Sequence, residues 1–520
     1  MLKHMQSRVR EFDARLAFAF VIAACAVIYS LVFSDPNVAL FALPFFALGC
    51  GHGKRPLMLL AFSLLPAAAL LLVSYVKFIL VGMPLVIYDH YFLRSNVLML
   101  AYNDWRVASG LVLLAVLTFF YLRYLLSGKA PFSAFERNGL VTLGGLAFVS
   151  LVSLHTGLQH VDMWEPSANA PTLRTLMRSS QVSGASLRIA STAVAAEPTL
   201  DHGFGAPAGG LPDIFMVLQE STFNPATLRP GYAPRTLFAK DASLGGPLRV
   251  HTFAGGTWRT EFSVAIQMRP QEFGNDGLYV FHQLEGRIKR SVFTELKKLG
   301  YRTVVFYPVP GSFINAAAFY HSIGVDEFYD PISLGVSAGW DWKSPDTTLY
   351  DAMLKKVATM DERPIVALML TINQHGPHNV EDPFSDYLTR FEDSDAAYGK
   401  FLEALKVRGK PAGVMTFGDH QPEFTSRFLH DDITRFIADY DIRCVNFACA
   451  GSPGPHTRQI DVVTLAPVAL EQFGFTLDTF SQRQRAFFEA CADDVDRCGE
   501  TARLDFNKMF SPFFDGGTSL

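Results

Sequence analysis

The chain has 520 residues, enough for two or three domains of ordinary size. Hydrophobic residues make up 49% of it and charged residues 18%, and almost all of the apolar excess lies before residue 160. The formal net charge of −4 excludes the strongly basic surface that nucleic-acid-binding proteins use. We therefore expect no nucleic-acid partner.

Five apolar runs before residue 160 approach the roughly 17–25 residues that a helix needs to cross a bilayer. They lie at 16–33, 38–50, 56–76, 107–126 and 140–158. No small-residue cleavage site follows the first run, so we interpret it as an uncleaved anchor and not as a signal peptide. These runs predict an N-terminal multi-span α-helical membrane domain of about five helices at 1–158.

The distribution of basic residues predicts the orientation of these spans. Lys and Arg are concentrated at the N-terminus and in the loops at 52–55 and 123–137, and such loops stay on the cytoplasmic side. Five spans then place everything after residue 160 outside the cytoplasm. Residues 159–210 are predicted to be a juxtamembrane linker, in which 171–190 can form a basic amphipathic helix that either lies on anionic lipid or is solvated.

Four cysteines in the C-terminal part form two close pairs, Cys444 with Cys449 and Cys491 with Cys498. Such pairs are typical of disulfides in an oxidising compartment, and the alternative is a zinc site with four cysteine ligands. Neither pair has the two-residue gap that is commonest in zinc knuckles, which favours disulfides.

From residue 211 onward, short apolar runs alternate with helical stretches. The runs are at 214–218, 303–307, 365–370, 413–417 and 443–447, and helices are predicted at 291–299, 349–360, 391–407 and 461–473. Apolar strands that alternate with helices predict an α/β domain at 211–520, with a mostly parallel sheet covered on both faces. Ligands gather at the carboxyl ends of the strands in such sheets.

Acidic and imidazole side chains follow three of these strands. Gln219, Glu220 and Ser221 follow the first, residues 373–378 (Asn-Gln-His-Gly-Pro-His) the third, and Gly418, Asp419 and His420 the fourth; Gly255, Gly256 and Thr257 lie between the first two strands. Each group alone is often only a helix cap or a local hydrogen-bond arrangement. Together they form an oxygen- and nitrogen-rich set that suits Zn²⁺ or Mn²⁺, with Mg²⁺ also possible.

These motifs, in this order, resemble the lipoteichoic acid synthase and phosphoglycerol transferase branch of the alkaline phosphatase (sulfatase-like) superfamily, which is related to the phosphoethanolamine transferases. Several spans before a sulfatase-like domain is the arrangement of both groups. The resemblance implies a divalent metal ion bound by Glu220, Thr257, Asp419 and His420. It also implies that Thr257 is the nucleophile and that His375 lies beside the substrate phosphate.

The implied activity is the transfer of a lipid headgroup. Thr257 takes phosphoglycerol or phosphoethanolamine from phosphatidylglycerol or phosphatidylethanolamine, and passes it to a glycan or lipid acceptor of the cell envelope. The implied location is the bacterial inner membrane, with the catalytic domain in the periplasm. A membrane-anchored phosphodiesterase or sulfatase-like hydrolase, and a non-catalytic binding protein of the same fold, remain as alternatives.

One departure from the family concerns headgroup recognition. The family's Phe-Trp-Asn-Arg stretch corresponds to residues 313–316, Phe-Ile-Asn-Ala, so Asn315 is retained while the Trp and the Arg are absent. His378, Asn315 and Arg259 are candidate substrate-binding residues. Arg302 and Lys343 are further candidates for a replacement cation.

Overall fold

The computed structural model describes residues 105–126 and, with gaps, 203–514, together with single positions between 45 and 89. The gaps within 203–514 are 337–343, 377, 380, 430–433, 452–457, 493 and 495–496. The spans predicted at 16–33 and 140–158, the linker helix at 171–190 and Lys343 lie outside the described residues; of the spans at 38–50 and 56–76, only single positions are described.

The chain divides into two compact units. One comprises Met1–His90 and Val97–Gln181, and the other comprises Tyr91–Asn96 and Val182–Leu520. In the first unit, helix α1, Trp105–Leu126, coincides with the segment predicted at 107–126. Across the described positions, none of the helices has both the length and the apolarity that a membrane crossing requires. The membrane domain at 1–158 and the domain boundaries stay predictions.

The second unit contains a sheet of eight strands, as far as the chain is described, in the order β4-β3-β5-β1-β6-β7-β2-β8. The strands are β1 Asp213–Gln219, β2 Leu244–Arg249, β3 Arg302–Phe306, β4 Glu327–Tyr329, β5 Ile365–Leu370, β6 Ala412–Gly418, β7 Ile437–Val445 and β8 Ile460–Asp461. β1, β5 and β6 are buried along their whole length, as expected for central strands covered on both faces.

The sheet is mixed, which refines the prediction of a mostly parallel one. β4, β3, β5, β1 and β6 run parallel to one another, while β7 runs antiparallel to both β6 and β2. The strand predicted at 443–447 was misplaced: β7 begins at Ile437 and ends at Val445. The error arose because β7 carries Asp439 and Asp441, two buried acids that interrupt the apolar run used to find strands.

Ten helices accompany the sheet within the described residues. They are α2 Thr257–Ile266, α3 Val280–Gln283, α4 Val292–Lys298, α5 Ala316–Ser322, α6 Pro331–Leu334, α7 Asp346–Val357, α8 Pro383–Arg408, α9 Leu465–Gln472, α10 Thr479–Ala490 and α11 Glu500–Phe510. α4, α7, α8 and α9 occupy the four stretches where the sequence predicted helices.

Helices cover both faces of the sheet. On one face, Phe401 of α8 meets Phe215 of β1 edge-to-face at 5.6 Å and stacks on Tyr350 of α7 at 4.8 Å, measured between ring centroids. At another place on the sheet, Phe473 lies so close to Gly413 of β6 that a Cβ there would meet its ring at 2.7 Å. Glycine at this position is therefore what allows the ring to approach the strand.

Two disulfides close short loops near the C-terminus. Cys444 is bonded to Cys449 and Cys491 to Cys498, with Cα–Cα distances of 5.6 Å and 5.3 Å. The disulfide prediction is confirmed, and the four-cysteine zinc alternative is excluded because all four sulfur atoms are in S–S bonds.

The buried carboxyl of Asp439 makes the stability of the fold depend on pH. Burial raises its pKa to about 8, although the backbone N–H of Asn224 donates to it at 3.2 Å. Because the folded-state pKa lies above the unfolded value of about 3.9, this group contributes most stability at low pH. The contribution is lost as the pH rises toward 8.

Replacement Asp439→Asn is expected to keep the acceptor for Asn224 and to remove this pH-dependent loss. The variant should have a flatter dependence of unfolding free energy on pH between about 4 and 8, and should exceed the parent at pH 8. Urea unfolding at a series of pH values measures this, with Asp393→Asn on the exposed side of α8 as the control. Parallel curves for parent and Asp439→Asn would contradict the prediction.

Candidate functional site

The register between β1 and β6 brings two acidic residues side by side. Gln219, at the end of β1, is paired with Gly418, at the end of β6, and the two strands are parallel. Glu220 and Asp419 therefore leave the same edge of the sheet next to each other. The backbone N–H of Ser221 donates to Asp419 Oδ1 at 2.7 Å, which ties the two strand ends together. Ser221 itself is in the left-handed region, with φ of 53°.

Four predicted residues converge at this edge. Ligand atoms of Glu220, Asp419 and His420 all lie within 4.8 Å of one another. Thr257 Oγ1 donates to Glu220 Oε2 at 3.0 Å and lies 3.5 Å from His420 Nε2. His420 Nε2 is 3.6 Å from Glu220 Oε1 and 3.1 Å from Asp419 Oδ2. Residues up to 200 positions apart in the chain thus share one small volume.

The lone pairs of the His420 imidazole and the Asp419 carboxylate are available to a metal ion at this site. His420 Nδ1 lies 3.1 Å from the carbonyl oxygen of Gln421, which can only accept, so Nδ1 carries the hydrogen and Nε2 carries the lone pair in the neutral ring. Asp419 Oδ2 is buried and accepts no hydrogen bond from the part of the chain that the structure describes. A buried carboxylate oxygen without a donor is costly unless a cation satisfies it, so the donor set fits a divalent metal ion such as Zn²⁺ or Mn²⁺.

The electrostatics of the cluster agree with a cation site. Burial and the neighbouring Asp419 carboxylate raise the pKa of Glu220 to about 7, while the His420 imidazole and the hydroxyl groups of Ser221 and Thr257 act in the opposite direction. Two carboxylates that are both buried repel each other when charged. A bound cation would remove that repulsion and hold both groups ionised.

Thr257 stands at the first position of α2 because the two preceding glycines allow a turn that other residues resist. Gly256 has φ of 80°, and a Cβ there would meet the Arg259 guanidinium at 2.3 Å. This turn places the Thr257 hydroxyl at the N-terminus of α2, where backbone N–H groups and the helix dipole favour negative charge. Thr260, three residues further on, directs its hydroxyl elsewhere: its Oγ1 donates to the carbonyl oxygen of Asp419 at 2.8 Å.

The loop that carries His375 is held by helices α7 and α8. The carboxylate of Asp346 accepts the backbone N–H groups of Ile372 and Asn373 at 3.2 Å and 3.1 Å. Arg390 donates to the carbonyl oxygen of His375 at 2.8 Å. Sequence reasoning missed both Asp346 and Arg390, because neither adjoins a motif and only the packing of the helices brings them to the loop.

His375 is held as a neutral imidazole. Its Nδ1 lies 2.7 Å from the carbonyl oxygen of Gly376, so the hydrogen is on Nδ1 and the lone pair is on Nε2. Burial lowers the pKa of His375, and the Arg390 guanidinium lowers it further, while the Asp419 carboxylate acts in the opposite direction. At neutral pH the ring therefore accepts protons at Nε2 more readily than it donates them.

The candidate substrate-binding residues lie in different surroundings. The ring of His378 packs against Phe424 and Tyr387, at centroid distances of 5.0 Å and 6.0 Å, and burial lowers its pKa to about 4. Asn315 donates to the carboxylate of Glu285 at 2.7 Å. Arg302 is paired with Glu327 on the neighbouring strand. These contacts do not assign a substrate role to any of the three.

Arg259, the remaining candidate, is buried directly beneath the turn that presents Thr257. Its guanidinium occupies the space that a side chain at Gly256 would need. Burial lowers the pKa of Arg259 to about 10. The cation is therefore adjacent to the nucleophile loop, and whether it contacts substrate stays a prediction.

Comparison with known sequences agrees with this site. The profile of the sulfatase family matches residues 212–459. This segment is similar to sulfatase domains. The resemblance to the lipoteichoic acid synthase and phosphoglycerol transferase branch of the alkaline phosphatase superfamily is confirmed. All four converging residues lie within the matched segment.

Two relatives and one solved structure illustrate the similarity. An uncharacterized protein of Haemophilus influenzae is 30% identical over 244 residues, covering 41% of this chain and 44% of the relative. The lipoteichoic acid synthase-like YvgJ of Bacillus subtilis is 26% identical over 188 residues, covering 32% and 29%. The lipooligosaccharide phosphoethanolamine transferase A of Neisseria meningitidis covers 88% of this chain and 95% of its own, with 12% identity and a TM-score of 0.47. The matched region spans less than half the length of these two sequence relatives.

Removal of two of the converging carboxylates should abolish metal binding. The double variant Glu220→Ala, Asp419→Ala is purified and exposed to Mn²⁺ or Zn²⁺. It should retain less than roughly a tenth of the metal bound by the parent, because two direct metal ligands are lost. Metal analysis after desalting measures this. The control is Glu403→Ala, Asp505→Ala, which removes two exposed carboxylates. Metal content equal to the parent would count against the proposed ligands.

Proposed function

We propose that the protein is a membrane-anchored, metal-dependent transferase. It moves a phosphoglycerol or phosphoethanolamine headgroup from a phospholipid through a covalent phosphothreonine intermediate to a hydroxyl group of a cell-envelope glycan or lipid. The observation that carries the proposal is the convergence of the Thr257 hydroxyl with Glu220, Asp419 and His420 in one buried site.

Glu220, Thr257, Asp419 and His420 would hold the metal ion. A divalent cation bound there lowers the pKa of the Thr257 hydroxyl and offsets negative charge on the phosphate. The residues of the chain supply the rest. In the arrangement described, the Thr257 hydroxyl already directs its hydrogen to Glu220 Oε2, which gives the departing proton an acceptor.

In the first step, Thr257 Oγ1 attacks the phosphorus of the lipid phosphodiester. A bond forms between Oγ1 and phosphorus, and the bond from phosphorus to the diacylglycerol oxygen breaks. The Thr257 proton passes to Glu220, and the departing diacylglycerol oxygen takes a proton from solvent. The headgroup phosphate then remains on Thr257 as a diester.

In the second step, an acceptor hydroxyl attacks the same phosphorus. Its proton passes to His375 Nε2, which carries the lone pair in the neutral ring. The bond from phosphorus to Oγ1 breaks, and the threonine oxygen takes back the proton held by Glu220. His375 then releases the acceptor's proton to solvent, which restores the neutral ring. A protonated His375 could instead donate a proton to the leaving group. The depressed pKa favours the proton-accepting role.

Two features support a location outside the cytoplasm. The disulfides Cys444–Cys449 and Cys491–Cys498 are typical of oxidising compartments. The apolar runs before residue 160 and their basic loops favour the same side. We therefore propose the periplasmic side of the inner membrane, where phospholipid donors and envelope acceptors are both accessible.

The intermediate provides the direct test. Purified full-length protein in detergent, given phosphatidylglycerol and phosphatidylethanolamine separately with Mn²⁺ or Zn²⁺, should release diacylglycerol. The peptide that contains Thr257 should gain the mass of phosphoglycerol or of phosphoethanolamine, which identifies the donor. Thr257→Ala should lose turnover by at least about 10³-fold, and Thr227→Ala, at an exposed threonine, should not.

Other results of this experiment discriminate between the alternatives. Turnover of a soluble phosphodiester without any turnover of lipid would support the hydrolase reading. Absence of both, in protein that binds metal, would support a binding protein of the same fold.

The role of His375 predicts the pH dependence of transfer. Because the folded protein favours the neutral ring, kcat should fall on the acid side only below the ordinary histidine pKa of about 6.5. His375→Ala should slow transfer by roughly 10²–10⁴-fold and abolish this acid limb. His378→Ala should leave the limb in place. An acid limb unchanged in His375→Ala would remove His375 from the mechanism.

A further inference from the structure

A buried acid lies one helical turn below the nucleophile. Glu261 is four residues after Thr257 on α2, so the two side chains lie on the same face of the helix. Only 1% of Glu261 is exposed. It belongs to none of the motifs used to locate the site, and it is not a member of the converging metal-ligand set.

Two tyrosines from separate elements donate to this one carboxyl. Tyr307, directly after β3, donates to Glu261 Oε1 at 3.2 Å, and Tyr320 of α5 donates to Oε2 at 2.5 Å. Both tyrosines are also buried, at 4% and 0% exposure. Glu261 therefore connects the nucleophile helix to the end of a sheet strand and to a second helix through two hydrogen bonds in a dry environment.

Burying a carboxyl group to make this connection carries a large desolvation free energy. Burial raises the pKa of Glu261 to about 8; the two tyrosine hydroxyls act in the opposite direction, and the carboxylates of Asp419 and Glu220 add to the increase. Replacing a buried polar network by apolar groups of the same shape is usually neutral or stabilising. Folding alone therefore does not require a carboxyl at this position.

Glu261 joins α2 to α5 through its hydrogen bond with Tyr320. α2 presents Thr257. α5 begins directly after Asn315, in the segment 313–316 that corresponds to the family's headgroup-contacting stretch. Asn315 and the preceding Ile314 are both left-handed, with φ of 66° and 45°, and a β-branched residue in that region is strained. Such a segment keeps its position only when its surroundings fix it.

We propose that Glu261 is a positioning residue: with Tyr307 and Tyr320 it fixes the distance between the Thr257 nucleophile and the segment 313–316. The proposal rests on the proposed function. A displacement of about 1 Å between a nucleophile and the group that orients its substrate can cost 10²-fold in rate. The loss should be larger for a lipid with a headgroup than for a small diester that segment 313–316 does not recognise.

Three variants separate positioning from folding. Glu261→Gln keeps hydrogen bonds to both tyrosines, because an amide can accept from one hydroxyl and donate to the other. The triple variant Glu261→Leu, Tyr307→Phe, Tyr320→Phe replaces the network by apolar groups. Tyr301→Phe is the matched control, since it removes a buried tyrosine hydroxyl that donates to the carbonyl oxygen of Pro212 at 2.7 Å, outside this network.

The measurements are the melting temperature, the bound metal, and kcat and KM for phosphatidylglycerol and for bis(4-nitrophenyl) phosphate. We expect the triple variant to keep the metal and the melting temperature of the parent. Its kcat should fall about 10- to 100-fold with the lipid, and less with the small diester. Glu261→Gln should stay within about threefold of the parent, and Tyr301→Phe should not change kcat.

Three outcomes would overturn the proposal. One is a triple variant with the parent's kcat for lipid. Another is an equal loss on both substrates. The third is a loss of melting temperature that parallels the loss of activity, which would make the network structural. Failure of the proposed function is distinguishable, because the parent would then not turn over lipid, whereas the small diester still reports the effect of the network on Thr257.

Discussion

The site depends on the placement of two carboxylates beside each other in a buried environment. Glu220 and Asp419 leave adjacent parallel strands at the same level, and the backbone N–H of Ser221 holds Asp419 in place. Such an arrangement is unfavourable by itself, because two buried carboxylates repel and each loses hydration. A cation between them turns the same geometry into a favourable one. A divalent metal ion bound between the two carboxylates would offset both the repulsion and the lost hydration.

The two other side chains of the site, those of His420 and Thr257, lie outside β1 and β6. His420 follows Asp419 directly and turns its Nε2 lone pair inward because Nδ1 is bonded to a carbonyl oxygen. Thr257 arrives from a different part of the chain, at the start of a helix whose N-terminal dipole favours an anionic oxygen. The same helix carries Glu261 one turn further on, where the tyrosine pair anchors it. The helical turn that carries the proposed nucleophile Thr257 is therefore held at Thr257 by Glu220 and at Glu261 by the two tyrosines.

His375 belongs to a second layer of the site. Asp346 and Arg390 hold its loop to α7 and α8. This loop follows β5, whereas Glu220 follows β1. Burial and the Arg390 guanidinium keep the imidazole neutral, which suits a proton acceptor. Within one site, burial thus raises the pKa of the Glu220 carboxyl and lowers that of the His375 imidazole.

Much of this could be predicted from local sequence. Ile365–Leu370 was predicted at its observed bounds, because a continuous apolar run of strand length has few other structures available to it. The helices α4, α7, α8 and α9 followed from the same alternation. β7 was misplaced because its buried Asp439 and Asp441 are satisfied by groups from distant segments, which a local pattern does not contain. The strands β4 and β8 were missed because three or two residues carry too little periodicity. β2 was missed because Gly245, Gly246 and Pro247 interrupt its apolar pattern.

The sequence by itself determined which residue types were available for the chemistry, since the motifs around Glu220, Thr257 and Asp419 mark the ends of strands and the start of a helix. It also determined the pairing of the late cysteines, because short loop closures bring few competitors together. Only the tertiary structure decided which side chains meet. The register between β1 and β6, the link from Glu261 to Tyr307 and Tyr320, and the hold of Arg390 on the His375 loop all join residues far apart in the chain, and such contacts depend on packing that no local pattern encodes.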